Sequence, residues 1–385
     1  MEKIKHLLRH PMTVIFGLLI VGIFIWDNFY PVREFSEMEN RVLTQKPDFS
    51  IRSLMAEGDQ SYTMKYETYV NDQFVLRDQW ISLKSRTEYL LGKTENNGVV
   101  YGKDHYMFEK YFATDEDRLQ KNIGFVEEFG KKYSATNEIT AMIVPYSYEV
   151  LSDKVPSGLH FVDQVAWTEE IYDRFSKSGI STLDVYSALS QHKDEYIYYR
   201  TDHHWTTAGA YYAYRQFCES RGLTPAELSD LTKHGVEDFY GTFFSKSKAF
   251  NTVPDTIDYY DFSTSQVTVD GKEVEGLYNL DQFEKRDKYG AFLHGNNGLT
   301  VIKSGEPGRS QNNENPSRIL VIKDSFGNSF VPFLLQNYDE VWAIDLRYLG
   351  EDLSTIMAEN HFDDVLILYG FVPFGSYPSV SKITY

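Results

Sequence analysis

The stretch "RILVIKDSFGNSFVPFLL", Arg318 to Leu335, decides the fold. Arg318 to Lys323 form a compact apolar run that reads as a buried strand, Asp324 and Ser325 form a turn, and an apolar helix follows. The same rhythm appears on either side. "EITAMIVPYS" (138–147), "ISTLDVYSAL" (180–189), "DEVWAIDLRYL" (339–349) and "FDDVLILYGF" (362–371) each hold a strand-like run. "DRLQKNIGFVEEFGKKY" (117–133) and "AWTEEIYDRFSKSG" (166–179) carry helical spacing between them. Near-continuous apolar strands alternating with helices indicate an α/β fold, a parallel sheet covered on both faces. Residues 234–303 interrupt the alternation and read as an insertion or lid, with a hairpin "VTVDGKEVE" (267–275) turning at Asp270 and Gly271.

Upstream, residues 60–92 show mixed three and four spacing and read as helices, and "GVVYGKDHYMFEKY" (98–111) reads as a short hairpin around Gly102 to Asp104. The expected division is a cytoplasmic tip and anchor over 1–30, an extended lead-in over 31–59, and a catalytic domain over 60–385. The anchor rests on Lys3, Lys5 and Arg9, followed by the uncharged run Met12 to Trp26 and then Asp27, Phe29 and Tyr30. Basic residues before and aromatics after the run suit a helix that keeps its start in the cytoplasm and exports the rest. No small-residue cleavage site follows, so the reading is an uncleaved, single-pass signal anchor.

The chain has 385 residues, 42% of them hydrophobic, which suffices for a large packed core. Its formal charge of −18 repels polyanions, so nucleic acid is not an expected partner, and a strongly anionic polymer would need a local basic patch. The 29 Tyr and 26 Phe suit a sugar-facing cleft as well as an aromatic core. The single cysteine, Cys218, precludes an intramolecular disulfide and reads as a small buried hydrophobe.

A second stretch, "RTDHHWTTAGAYYAY" (200–214), sets an aspartate and two histidines just before a helix capped by Thr206 or Thr207. On an extended segment Asp202 and His204 share a face while His203 points away, which lets the carboxylate orient the imidazole. The helix start disfavours protonation of that ring. A nucleophile belongs at the carboxyl end of a sheet strand, where Ser325 stands beside helix N–H groups able to meet an oxyanion. The plainer alternative is that all of these residues only cap helices.

Together "TDHHWT", "AGAYYAY", "KDSFGNSF", "EMENRVL" and "NDQFVLRDQW" resemble the DHHW protein family and its relatives, the alginate O-acetyltransferases of the J and X type, from about Phe35 to the end. The resemblance implies an SGNH-hydrolase-like, flavodoxin-like sheet between helices with the motif order rearranged. It also implies a triad of Asp202, His204 and Ser325, a polysaccharide acceptor, and a multi-pass membrane O-acyltransferase partner that delivers the acetyl group. No cofactor or metal is expected. Lys323 departs from the glycine usual in the broader family. Arg347 falls where the resemblance implies a substrate-side polar residue. Asn328 and Asn296, the latter in a turn with Gly295 and Asn297, are candidate oxyanion amides; His203, Tyr146 and Tyr148 are candidate cleft residues. Competing readings are an acetylesterase using the same triad, a metal-dependent phosphoesterase drawing on Asp184 and Asp345, and a non-catalytic glycan-binding scaffold.

Overall fold

The structure, a computed structural model, describes residues 10–306 and 316–385; Lys3, Lys5 and Arg9 lie outside the described residues. The chain forms two compact units, Met1–Lys93 with Lys248–Phe250, and Thr94–Ser247 with Asn251–Tyr385.

The first unit holds α1 (Pro11–Phe29), α2 (Tyr62–Gln73) and α3 (Arg77–Leu90). α1 contains the whole expected apolar run, is long and apolar enough to cross a membrane, and buries none of its residues. The lead-in is less extended than its composition suggests. Phe35 and Ser36 pair with Val42 and Arg41 across a tight turn, and the Asp72 carboxylate of α2 takes a two-pronged bond from Arg41 and the N–H of Thr44. Residues 60–93 therefore fold with the lead-in, and the unit that carries the sheet begins at Thr94 instead of the expected residue 60.

In the second unit the expected hairpin is present, Val99–Tyr101 pairing with Met107–Glu109. The principal helices are α4 (Glu116–Tyr133), α5 (Gln164–Lys177), α6 (Thr207–Arg221) and α7 (Gly327–Leu334). The principal strands are β1 (Glu138–Val144), β2 (Ser181–Thr182), β3 (Lys233–Phe239), β4 (Asp255–Tyr260), β5 (Thr264–Val269), β6 (Lys272–Val274), β7 (Leu299–Ser304), β8 (Arg318–Lys323), β9 (Glu340–Ile344) and β10 (Asp364–Gly370). Eight of them form one sheet in the order β6-β5-β7-β9-β8-β10-β1-β2. From β9 to β2 every pairing is parallel; β5, β6 and β7 add an antiparallel edge.

Alternate side chains feed opposite cores. Val321 and Met142 pack with α6 and α7, while Leu320, Ile322 and Ile143 pack with α4 and α5, as a sheet covered on both faces requires. The chain leaves β8 for β9 on one side and then returns to β10 on the other. The carboxyl end of β8 is therefore a switch point where open α/β sheets place their clefts.

Two expectations change. In "ISTLDVYSAL" only Ser181 and Thr182 pair, because Asp184 accepts the N–H of Tyr186 and the hydroxyl of Ser187 and starts a helix, Tyr186–Gln191. The segment 234–303 is not all lid: its latter half supplies β5 to β7, and Asp270 and Gly271 make the turn with positive φ of 45° and 77°. Its remainder, including the antiparallel pair β3–β4, packs a separate, mostly aromatic cluster of Tyr199, Phe239, Ile257, Phe283, Tyr289 and Phe292. Cys218 is buried on α6 as expected.

Candidate active site

The loop before α6 is a tight one. Tyr198 and Trp205 form an antiparallel bridge, and Asp202 Oδ1 accepts the backbone N–H of His204 at 3.1 Å, an Asx turn. That turn, and not an extended strand, brings the aspartate and the imidazole together. His204 Nδ1 lies 2.6 Å from Asp202 Oδ1, and His204 Nε2 lies 2.7 Å from Ser325 Oγ. The other carboxylate oxygen accepts the N–H of Thr242 at 2.7 Å. Burial alone would raise the Asp202 carboxyl, but the imidazoles of His203 and His204 and the Thr242 N–H outweigh it and hold the group well below the usual carboxylate range. Asp202 is therefore an anion at any working pH.

His203 does not point away. Its ring centroid is 3.8 Å from that of His204, and its Nδ1 bonds the Thr242 hydroxyl at 2.9 Å. Burial, with His204 beside it, pushes this imidazole down to about 3. A neutral His203 thus packs against the His204 ring instead of holding a charge.

Several buried groups hold this loop. Asp255 of β4 accepts the N–H groups of Arg200 and Thr201 and the Thr201 hydroxyl. Gly241 lets the backbone approach Asp202: a Cβ there would fall 2.3 Å from Asp202 Cβ and 2.5 Å from its Oδ2. The Trp205 indole donates to the carbonyl of Phe326 and to Ser329 Oγ, both at 3.0 Å, joining the histidine loop to the serine turn. Thr206 is the N-cap of α6.

Ser325 follows β8 directly. Asp324 clamps its turn, accepting the N–H groups of Phe326 and Gly370 at 2.8 and 2.9 Å; burial pushes this carboxyl up to about 6 against those two bonds. The helix N–H groups expected to meet an oxyanion are already committed. Phe326 donates to Asp324 Oδ1, Gly327 to the Asp324 carbonyl, and Asn328 to the Ser325 carbonyl. Ser325's own N–H is the remaining backbone donor in the turn, and it has no hydrogen-bond partner among the described residues.

Lys323 is fully buried beneath Gly327 and donates to Asn328 Oδ1 at 2.6 Å. Burial pushes its amine down to about 8, opposed by Asp345 and Asp324. Because an ammonium only donates, the Asn328 amide must turn its NH2 outward, and that NH2 donates to exposed Asn296 Oδ1 at 3.1 Å. The two candidate amides are thus bonded to each other. Asn297 is spent on its own turn, donating to the carbonyls of Leu293 and Gly295.

Arg347 is gripped by Asp345 through several bonds between 2.5 and 3.2 Å, and reaches Tyr377. Tyr146 sits beside His203 and Phe326, with ring centroids 6.1 and 5.5 Å away, whereas Tyr148 stacks on Phe161 at 4.4 Å. Asp202, His203 and His204 bring possible ligand atoms within 4.8 Å of one another. The further carboxylates the phosphoesterase reading draws on are engaged elsewhere, Asp345 with Arg347 and Asp184 at a helix start.

The inventory drawn from sequence missed Tyr289. Its ring stacks on His204 with centroids 4.0 Å apart and 10° between planes, and its hydroxyl donates to the Ser325 carbonyl at 2.9 Å. Burial raises this phenol well above its ordinary value, so it stays a donor.

Comparison with known proteins agrees with this architecture. The family model described as DHHW protein matches residues 93–344. A probable alginate O-acetylase AlgJ from Pseudomonas fluorescens is 27% identical over 170 residues, covering 41% of this chain and 42% of that protein. The chain spans about half the length of the curated relatives it matches. Among solved structures, a DHHW family protein from Eubacterium siraeum is 25% identical with a TM-score of 0.63, covering 75% of this chain and 95% of that one. Bacillus cereus PatB1, solved with a sulfonyl adduct, shares the fold at 19% identity and a TM-score of 0.59, covering 74% and 98%. The chain belongs to the DHHW protein family.

Proposed function

We propose that this protein is a serine O-acetyltransferase, anchored in the cell membrane by α1 with its catalytic unit outside, that passes an acetyl group through Ser325 to a hydroxyl of a cell-surface or secreted polysaccharide. The observation that carries the reading is the aligned series Asp202 Oδ1, His204 Nδ1, His204 Nε2 and Ser325 Oγ, with gaps of 2.6 and 2.7 Å. Asp202 fixes the tautomer that leaves Nε2 bare. His204 then takes the Ser325 proton as Oγ attacks the acetyl carbonyl, and returns it to the departing group of the donor. An acyl-serine remains. An acceptor hydroxyl, deprotonated by the same Nε2, attacks the acyl carbon; the ester forms on the sugar and the proton returns to Ser325.

The Ser325 N–H faces the developing oxyanion in this scheme, and a single such donor is worth about 3 to 4 kcal/mol. Kinship to proteins named as probable alginate O-acetylases supports acetyl transfer and a polysaccharide acceptor. The charge of −18 favours an acceptor that is not itself strongly anionic. A multi-pass membrane O-acyltransferase would bring the acetyl group across the bilayer to the exported site.

The test uses the full-length chain in detergent, with an activated acetyl ester as donor, following acetate release and transfer to oligosaccharides. Ser325→Ala and His204→Ala should each lower turnover by about a thousandfold or more, while His203→Ala lowers it far less. A larger loss in His203→Ala than in His204→Ala would refute the assignment of the base.

A further inference from the structure

The first unit wears its apolar side chains on the outside. Among its described residues the fully buried hydrophobic side chains are Leu43, Val75 and Ala249, yet Trp80, Leu83, Leu90 and Leu91 of the α3 region are 46%, 53%, 83% and 80% exposed. Residues 80, 83 and 90 recur at three and seven, so they line one stripe of the helix. On α2, Tyr62, Tyr66 and Tyr69 follow one another with ring centroids 5.7 and 5.9 Å apart, and Phe49 joins Tyr62 at 5.2 Å. A helix pair meant only for water would not carry Trp, Tyr and Leu in such rows.

The position of these helices says what the rows are for. In the last turn of α1, Asp27 Oδ1 accepts the N–H of Val75 at 2.8 Å, at the bend between α2 and α3. Six residues on, Arg33 exchanges backbone bonds with the Gln73 amide, both 2.9 Å, and its guanidinium pairs with Asp78 at 2.7 Å. The bend is therefore bonded to the end of the apolar helix from both sides. The polar zone of a leaflet extends only about 5 to 8 Å beyond the hydrocarbon, so a bend one hydrogen bond from the end of a membrane span lies within that zone. Side chains with an apolar body and a polar tip, such as Tyr and Trp, concentrate at this depth.

We propose that α2 and α3 form an elbow that lies in the interface of the outer leaflet, with Trp80, Leu83, Leu90 and the tyrosine row of α2 inserted among lipid headgroups and upper acyl chains. This rests on the reading of α1 as a membrane span. The occupant is the bilayer itself: the bend between the two helices is bonded to the end of the apolar helix, and the row residues are those of interfacial helices.

The test reconstitutes the full-length chain, on a Cys218→Ser background, in phosphatidylcholine–phosphatidylglycerol vesicles containing lipids with quenchers at shallow or deep positions. An environment-sensitive fluorophore is placed at Leu83→Cys, Leu90→Cys, Ile20→Cys and Asp173→Cys in turn. Labels at 83 and 90 should be blue-shifted and quenched about twofold or more relative to 173, the shallow quencher acting best, while 20 responds best to the deep one. The Trp80 share of intrinsic fluorescence, wild type minus Trp80→Phe, should show the same shallow quenching without any label. Labels at 83 and 90 as wet as 173, with 20 still quenched, would overturn the elbow and leave the span standing. Labels that are dry but beyond reach of either quencher would overturn the lipid in favour of a covering protein. An unquenched label at 20 would remove the span and the elbow together.

Discussion

Replacing Asp202 by asparagine tests the site at its most constrained point. The native carboxylate accepts three donors: His204 Nδ1 at 2.6 Å, the His204 N–H at 3.1 Å and the Thr242 N–H at 2.7 Å. An amide offers one oxygen and one NH2. If the oxygen faces His204, the NH2 confronts the Thr242 N–H, leaving a buried donor unpaired at about 1 to 3 kcal/mol. If the oxygen faces Thr242, the NH2 meets Nδ1, the ring holds its proton on Nε2, and His204 donates to Ser325 when it should accept. Either arrangement also removes the anion that steadies the imidazolium. The expected loss in turnover is about 10³- to 10⁴-fold, equivalent to about 4 to 5.5 kcal/mol of barrier at 1.36 kcal/mol per decade. Single-turnover acetate release from an activated ester reads it directly. Because Asp202 is held well below the carboxylate range, its own titration adds nothing to the deficit between pH 6 and pH 8. A loss under about tenfold, with the fold intact by circular dichroism, would refute the claim that Asp202 sets the tautomer.

Other outcomes follow from the same contacts. Tyr289→Ala removes the ring stacked on His204 and the donor to the Ser325 carbonyl, and should lower kcat about 10- to 100-fold; Tyr289→Phe, which keeps the ring, should lose less. Gly241→Ala drives a methyl into Asp202 and should cost about 1 to 3 kcal/mol in urea unfolding together with most of the activity. For Lys323→Met the measurement is the difference in unfolding free energy from wild type across pH. The folded-state pKa of Lys323 is depressed to about 8, so burial penalises the charged form fully below that pH. The penalty is relieved as pH climbs toward the unfolded value of about 10.4. Wild-type stability should therefore gain on the variant between about pH 8 and 10.4, and a flat difference would show that Lys323 titrates normally.

The parallel sheet was readable because β8, β10 and β1 are buried on both faces and so are written as unbroken apolar runs. Ser325 was readable for the same reason: a polar turn closing such a run has one place to be. Asp202 and His204 were paired correctly for a different cause, since a short Asx turn brings them together where alternation along a strand was expected. Such turns are made by one side chain and one N–H and leave no period to read. Tyr289 was out of reach. It stands in a short 3₁₀ stretch, Lys288–Ala291, inside an irregular segment, and only the aromatic cluster around it carries it to His204. The oxyanion donors were misjudged because the turn itself uses them: the Phe326 N–H goes to the Asp324 carboxylate, and those of Gly327 and Asn328 go to the Asp324 and Ser325 carbonyls.

The His204 imidazole is held by pieces from three distant parts of the chain: its own loop, the Gly241–Thr242 corner with Asp255, and Tyr289. Two of the three belong to the stretch between β3 and β7 that otherwise looks like a removable ornament. Chimeras that swap this stretch among DHHW relatives would therefore also disturb the Asp202–His204–Ser325 geometry, and under the proposed function a transplanted specificity would arrive with a slower catalyst. Engineering that keeps Gly241, Thr242, Asp255 and Tyr289 while varying the outer faces of β3 and β4 separates the two effects.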